Sequence, residues 1–154
     1  MAYIVTLETV TSQPIAAVHT RSAIKDIPNA WKPALDQVWA FLRANDGILA
    51  PGGRNVFLYH HPTHRDQDME IDFGVEAARA FDSDGAVRCV ETPAGQVART
   101  THVGPYSGLP GAHKAVHEWC AQNGKAIGAM SWETYGDWNE DESKLETDIF
   151  YLLR

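Results

Sequence analysis

A glutamate and a tyrosine two positions apart, Glu133 and Tyr135, are the residues whose types and spacing best fit chemistry. They stand in residues 131–135, which we predict to form a β-strand, and side chains two apart on a strand share a face. A carboxylate on a core-facing side needs donors, a cation or a proton, because burying it unpaired is costly. Glu133 is therefore either a structural acid, paired with Arg99 or a backbone donor, or part of a site.

Two tyrosines are candidate neighbours of this acid. Tyr135 shares its strand face, and Tyr106 follows a Gly-Pro turn, where loop residues commonly reach the mouth of a cleft. Both would supply phenolic donors, although a buried tyrosine is as often an ordinary core residue. We take Glu133 and Tyr135 as the catalytic pair if the protein is an enzyme, and all three as ligand-binding residues.

Five tryptophans in 154 residues are the second chemical signal. An indole face attracts cations and offers a large rigid surface for a flat aromatic molecule. We select Trp39 and Trp132 as binding residues and hold Trp119 in reserve, because tryptophan on a helix facing a sheet is more often core. On an ideal strand Trp132 points away from Glu133, so its role requires a twist or a bulge.

The histidines at positions 60, 61 and 64 raise the question of a metal site. Adjacent histidines without a carboxylate or cysteine set at ligand spacing are more often solvated, so we predict no metal and no cofactor. Cys89 and Cys120 are isolated in sequence, which favours buried thiols. His19 and His102 end similar strands, and we expect each to be a half-buried turn residue.

Two segments with the same order of elements must position these residues. Repeat one covers about residues 1–80 and repeat two about 86–154, each reading strand, helix, strand, strand. We expect the first helix to end near Gly47 and the second near Gly124, with Pro33 in the first turn of its helix. The sequence thus predicts an α+β fold: a duplicated β-α-β-β antiparallel sheet with two helices on one face and a central ligand cleft.

Length, composition and charge fit one domain spanning residues 1–154. The chain is 44% apolar, and its net charge of −7 disfavours direct nucleic-acid binding and binding to anionic membranes. No apolar run approaches ~18 residues, and the amino terminus lacks a basic segment followed by an apolar one. We therefore predict a cytoplasmic protein.

Several motifs in the second repeat carry a resemblance to a known family. They are Pro-Ala-Gly at 93–95, His102-x-Gly104-Pro105-Tyr106, Trp132-Glu133-x-Tyr135 and Thr147-Asp148-Ile149. In this order they resemble the GyrI-like small-molecule-binding family, which includes effector-binding domains of multidrug-responsive transcription activators. The resemblance implies a cleft for flat, hydrophobic and often cationic molecules. The Trp-Glu-x-Tyr match implies that Glu133 contacts a bound cation.

Three functions follow from this resemblance. The first is a stand-alone protein that binds a hydrophobic or cationic aromatic small molecule. The second is a hydrolase that opens the cyclopropane ring of cyclopropanoid antibiotics and so gives resistance to these DNA-alkylating compounds. There a protonated Glu133 or a tyrosine would polarise the electrophile while water attacks the ring. The third, inhibition of DNA gyrase, has only the acidic charge and the family name in its favour. Whether the protein turns over a substrate is left open by the sequence.

Overall fold

A computed structural model describes residues 2–64 and 66–154. The described residues form eight strands and two α-helices, and every strand pair with an assigned register is antiparallel, which confirms the predicted α+β class. The elements are β1 (Thr6–Val10), β2 (Pro14–Ser22), α1 (Ile27–Ala44), β3 (Asn55–His60), β4 (Met69–Glu76), β5 (Val87–Glu91), β6 (Gly95–Val103), α2 (Leu109–Gln122), β7 (Ile127–Tyr135) and β8 (Glu146–Leu153).

One compact unit consists of Ser12–Thr92. Its strands follow the order β3-β4-β2-β5, and α1 contacts β2 and β4. The helix lies on the sheet face that carries Phe57 and Phe73, since the Trp31 ring of α1 lies 6.3 Å from that of Phe57. The apolar face of α1, including Leu35 and Val38, is buried there.

The other unit consists of Met1–Thr11 and Pro93–Arg154. Its strands follow the order β1-β6-β8-β7, and α2 contacts β6 and β8. Small and apolar side chains of the helix pack against the sheet because they recur at helical spacing. The core consists of Ala98, Ala112, Val116, Cys120, Ile149 and Tyr151.

The two units repeat the same topology, as the sequence predicted. In each unit the strand after the helix is followed in the sheet by the last strand and then by the strand before the helix: β3-β4-β2 and β7-β8-β6. Each unit also contains the first strand of the other repeat: β1 of repeat one pairs with β6, and β5 of repeat two pairs with β2. The repeats therefore exchange their leading strands, which periodicity within one segment cannot reveal.

The helix boundaries follow the predicted signals with one correction. Each helix is followed by a glycine with positive φ, Gly47 at 85° and Gly124 at 64°, a conformation that ordinary residues rarely adopt. Pro33 lies in the second turn of α1, whereas Pro28 occupies the first, so the prediction for Pro33 was wrong. Because proline has no N–H, the carbonyl of Asn29 lacks its helical partner there.

Neither helix is both long enough and apolar enough to cross a lipid bilayer, over the part of the chain that the structure describes.

Candidate functional site

Strand β7 presents Glu133 on the face of its sheet that α2 covers. Pairing with β8 shifts register between Ile127 and Ser131 and is regular afterwards, so Ser131 pairs with Tyr151 and Glu133 with Ile149. Cross-strand partners share a face, and Ile149 and Tyr151 both belong to the core under α2. The Glu133 carboxylate therefore points to the helix, and the residue is only 4% exposed.

Both oxygens of the Glu133 carboxylate accept hydrogen bonds from side chains. Tyr135 Oη donates to Oε1 at 2.7 Å, and His113 Nε2 of α2 lies 2.8 Å from Oε2. Hydrogen bonds to a carboxylate are charge-assisted and stronger than those between neutral groups. These bonds offset the cost of burying the acid.

Arg99, a partner that the sequence suggested for Glu133, lies on the opposite face. Its guanidinium pairs with Asp148 at 3.1 Å and Glu8 at 3.3 Å, and stands 4.9 Å from the centre of the Phe150 ring. The register explains this difference, because Arg99 is opposite Phe150 in β8, one position out of phase with Ile149. The buried acid is therefore held by His113 of the helix and by Tyr135 rather than by Arg99.

His113 continues the hydrogen-bonded chain from Glu133 to a buried phenol. Its Nδ1 lies 2.6 Å from Tyr151 Oη. A neutral imidazole with its proton on Nε2 donates to Glu133 and accepts from Tyr151 through Nδ1. We call Tyr151, His113, Glu133 and Tyr135 the Glu133 network.

The Tyr151 hydroxyl keeps its proton over the physiological range. Burial raises the pKa of Tyr151 well above its ordinary value, and the Glu133 charge raises it further, although a hydrogen bond with Ser131 opposes the shift. With a neutral His113 the network keeps the negative charge of the carboxylate. That negative charge can be balanced by a bound cation.

Tyr135, which donates to the carboxylate, is itself in contact with a second tyrosine ring. Tyr106 begins a short 3-10 turn before α2 and is 41% exposed. Its ring centre lies 5.7 Å from that of Tyr135, at an interplanar angle of 90°. Burial raises the pKa of Tyr106, so its hydroxyl also stays protonated at neutral pH. The structure thus brings together Tyr106, Tyr135 and Glu133, three residues selected from the sequence.

Thr147 adds an unusual polar group to this face. It pairs with Tyr135 across β7 and β8 and is fully buried. Its hydroxyl has no hydrogen-bond partner among the residues that the structure describes. Most buried hydroxyls are satisfied, so the unpaired hydroxyl of Thr147 is an exception on the same sheet face as Glu133.

The tryptophans selected from the sequence are not gathered at the Glu133 network. Trp132 is 5% exposed and stacks on Phe150, with ring centres 5.2 Å apart, on the opposite face from Glu133. The bulge that its pocket role required lies earlier in β7, before Ser131. Trp119 of α2 packs against the core of its unit. Trp39 belongs to the unit Ser12–Thr92, where its indole nitrogen lies 3.3 Å from Asn55 Oδ1.

Sequence reasoning missed His113 and Tyr151. The available signal was weak: His113 is one of two histidines four positions apart in α2, and that spacing places them on one helix face. The second, His117, has its ring centre 4.9 Å from that of Tyr151. Burial lowers the pKa of His117, and the neighbouring His113 lowers it further. His117 therefore remains a neutral neighbour of the network at pH 7.

Comparison with known proteins gives a consistent result. A family model described as a GyrI-like small molecule binding domain matches residues 4–154. No curated protein is significantly similar in sequence.

Solved structures share the fold at low sequence identity. The C-terminal domain of EcmrR is similar with a TM-score of 0.82 and 19% identity, over 100% of this chain and 99% of that one. SAV2435 bound to tetraphenylphosphonium has a TM-score of 0.72 and 17% identity, over 100% and 94%. A hydrolase encoded by lin2189 from Listeria innocua has a TM-score of 0.68 and 11% identity, over 97% and 91%.

Proposed function

Because the chain belongs to the GyrI-like small-molecule-binding family, we propose that it binds a flat, hydrophobic and cationic molecule beside Glu133. The observation that carries this proposal is the buried carboxylate of Glu133, held by His113 and Tyr135. In the state with one proton on His113, the network has a net negative charge in a place with little water. Electrostatic attraction to a cation is strongest in such surroundings.

The adjacent tyrosines support an aromatic or lipophilic ligand. Tyr106 and Tyr135 meet edge to face and leave part of their ring surface exposed. Aromatic rings attract cations and bury large apolar areas. That SAV2435 is similar in fold and binds tetraphenylphosphonium makes this lipophilic cation a suitable probe. Trp39, Trp119 and Trp132 stay predictions as binding residues, as does the cleft between the repeats.

The proposal is tested by titrating the protein with tetraphenylphosphonium and following tryptophan fluorescence or heat. We expect micromolar binding that Glu133→Gln weakens about tenfold or more, because the charge that attracts the cation is lost. A tenfold loss corresponds to ~1.4 kcal/mol. The substitution keeps the shape of the side chain and removes its charge. Equal affinity in the variant would exclude Glu133 as the partner of the cation.

A neutral probe separates charge from shape. Triphenylphosphine oxide presents similar rings without a positive charge, so we expect Glu133→Gln to change its affinity by less than about threefold. A matched carboxylate variant, Asp148→Asn, removes an acid from the opposite sheet face, where it pairs with Arg99. We expect it to leave the affinity for tetraphenylphosphonium unchanged.

A second candidate, the opening of cyclopropanoid compounds, is favoured by the acid-base character of the Glu133 network. His113 links a carboxylate to the buried phenol of Tyr151, and Tyr135 places a second phenol at Glu133. Water would form a C–O bond to a ring carbon as the strained C–C bond breaks, and the electron pair would move to the conjugated carbonyl oxygen. Glu133 would accept the proton of the water, and a tyrosine would donate a proton to that oxygen.

Product analysis tests this second candidate. A cyclopropanoid antibiotic incubated with the protein should give the ring-opened hydrate, with turnover reduced at least about a hundredfold in Glu133→Ala and Tyr135→Phe. An unchanged rate in both variants would remove these roles. Binding without any product would leave the first function alone.

A further inference from the structure

A cluster of two histidines and an aspartate lies in the unit Ser12–Thr92, apart from the residues of the Glu133 network. His19 Nδ1 is 2.8 Å from Asp72 Oδ1, and His60 Nε2 is 2.7 Å from Asp72 Oδ2. Asp72 is only 4% exposed, whereas the two histidine side chains are 40% and 37% exposed. One buried carboxylate is thus hydrogen-bonded to two imidazoles that are accessible to solvent.

Strand pairing assembles this cluster from three different strands. His19 of β2 is directly opposite Asp72 of β4, and His60 of β3 is opposite Glu70, two positions before Asp72. Helix α1 packs on the sheet face that carries Phe57 and Phe73, and the side chains of the cluster point to the other face. The sequence prediction of a turn position for His19 was wrong, since it lies within β2.

Both ring nitrogens of His19 face carboxylate oxygens, an arrangement that a neutral imidazole cannot satisfy. Its Nδ1 faces Asp72, and its Nε2 faces Glu70 Oε1 at 3.2 Å. A neutral imidazole has one N–H, so one of these nitrogens would direct a lone pair at a carboxylate oxygen. Either a second proton or a metal ion at Nδ1 resolves this conflict.

We propose that His19, His60 and Asp72 bind one Zn²⁺ ion. One nitrogen from each histidine and an oxygen of Asp72 lie within 4.8 Å of one another, and the half-exposed imidazoles can rotate to close on an ion. Zinc prefers nitrogen and oxygen ligands at about 2.0–2.2 Å, and three protein ligands leave a position open for water. This donor set, two imidazoles and a carboxylate, suits zinc and its first-row neighbours better than Mg²⁺ or Ca²⁺.

The surroundings fit this assignment. With Nδ1 on the metal, Nε2 of His19 donates its proton to Glu70, the outer carboxylate that metal-bound histidines usually have. Both imidazoles are partly exposed, so an ion and its water have access from solvent, and a cavity of about 270 Å³ borders His60 and Glu70 next to the cluster. Because the ligands come from β2, β3 and β4, a bound ion would also cross-link three strands.

The proposal is tested with the metal-free protein at pH 7.5, titrated with ZnCl₂ by calorimetry and with CoCl₂ by visible absorption. We expect one ion per chain with a dissociation constant of micromolar or lower, d–d bands of a site with fewer than six ligands, and a higher melting temperature with zinc. His19→Gln and His60→Gln should each weaken binding at least about tenfold.

His64→Gln is the matched control, since His64 is exposed in the loop that follows β3 and is not part of the cluster. It should bind zinc as the unaltered protein does. Circular dichroism of the metal-free variants shows whether each is folded, and the cobalt spectrum of the unaltered protein needs no variant. No saturable binding up to millimolar zinc, or equal losses in His64→Gln and His60→Gln, would overturn the proposal. The cluster would then be a hydrogen-bonded feature of the sheet without a metal.

Discussion

His113 Nε2 lies 2.8 Å from Glu133 Oε2, so a histidine of α2 holds the buried acid of β7. The same imidazole reaches Tyr151 through its other nitrogen, at 2.6 Å. His113 therefore connects α2 to both β7 and β8 by polar contacts within the same unit. The stability of that unit and the chemistry of its candidate site therefore depend on the same residue.

Replacing His113 tests this dependence. We expect His113→Ala to lower the free energy of unfolding by about 1–3 kcal/mol, because it removes one partner each from Glu133 and Tyr151. Urea denaturation followed by circular dichroism measures the change. Lys114→Ala, at an exposed neighbouring position, should stay within about 0.5 kcal/mol. Equal losses in both variants would mean that His113 matters only as a helix residue.

Tyr151 predicts a loss of stability at alkaline pH. Its pKa in the folded protein is raised above the value of about 10 for an unfolded chain. Above that pH the unfolded state releases the proton and the folded state keeps it, so the folded state binds more protons and stability falls as pH rises. One such group contributes a slope of up to about 1.4 kcal/mol per pH unit.

Urea unfolding measured between about pH 9 and pH 11 checks this slope. We expect a shallower decline in Tyr151→Phe, although its stability at neutral pH should be lower because His113 loses its partner. A slope identical to that of the unaltered protein would show that Tyr151 ionises equally in both states.

Thr147 and Thr100 allow a comparison of how much a buried hydroxyl contributes to stability without and with a hydrogen-bond partner. Thr147 Oγ1 lacks a partner among the described residues, whereas Thr100 Oγ1 donates to the Ile4 carbonyl at 2.8 Å. Both are nearly inaccessible to solvent. Thr147→Val should therefore leave stability unchanged or raise it by about 1 kcal/mol, and Thr100→Val should lower it by about 1 kcal/mol. Thermal denaturation compares them, and a clear loss in Thr147→Val would reveal a partner for its hydroxyl.

Replacing Gly108 or Gly111 with alanine is expected to change the stability of the protein in opposite directions. A Cβ at Gly108 would lie 2.7 Å from Cε1 of His102, whose ring is held by Tyr3 and by the Pro105 carbonyl. At Gly111 the nearest atom would be 3.9 Å away. We expect Gly108→Ala to destabilise the protein by about 1–3 kcal/mol through this clash. Gly111→Ala should stabilise it by up to about 1 kcal/mol, because alanine is the better helix former.

The melting temperatures of the two glycine variants decide between these expectations. Gly108 ends the short turn that begins at Tyr106, so Gly108→Ala should also weaken the binding of tetraphenylphosphonium if Tyr106 contacts the ligand. A stable Gly108→Ala variant would mean that the His102 ring moves aside freely.

Several elements were predictable because local physics determines them. The apolar spacing of α1 and α2 and the glycines after them mark both helices, and period-two alternation marks most strands. Repetition of strand, helix, strand, strand predicted the duplicated topology. Glu133 and Tyr135 share a strand face, a relation that follows from a spacing of two residues and needs no knowledge of the fold.

Contacts between distant segments were beyond the sequence. His113 meets Glu133, and Asp72 meets His19 and His60, only after a helix packs on a sheet or strands pair in register. Trp132 combines both cases: its position next to Glu133 on a strand already predicts that it faces away from the carboxylate, whereas only the tertiary structure shows that it stacks on Phe150.

By itself, the sequence determined the elements, their duplication and the strand face on which a carboxylate and a phenol stand, because these follow from residue types and short spacings. Only the tertiary structure decided that β1 and β5 pair in exchanged units and that a helix histidine holds Glu133. Those outcomes depend on strand register and helix packing, in which residues tens of positions apart come within hydrogen-bond distance. No local pattern encodes such distances.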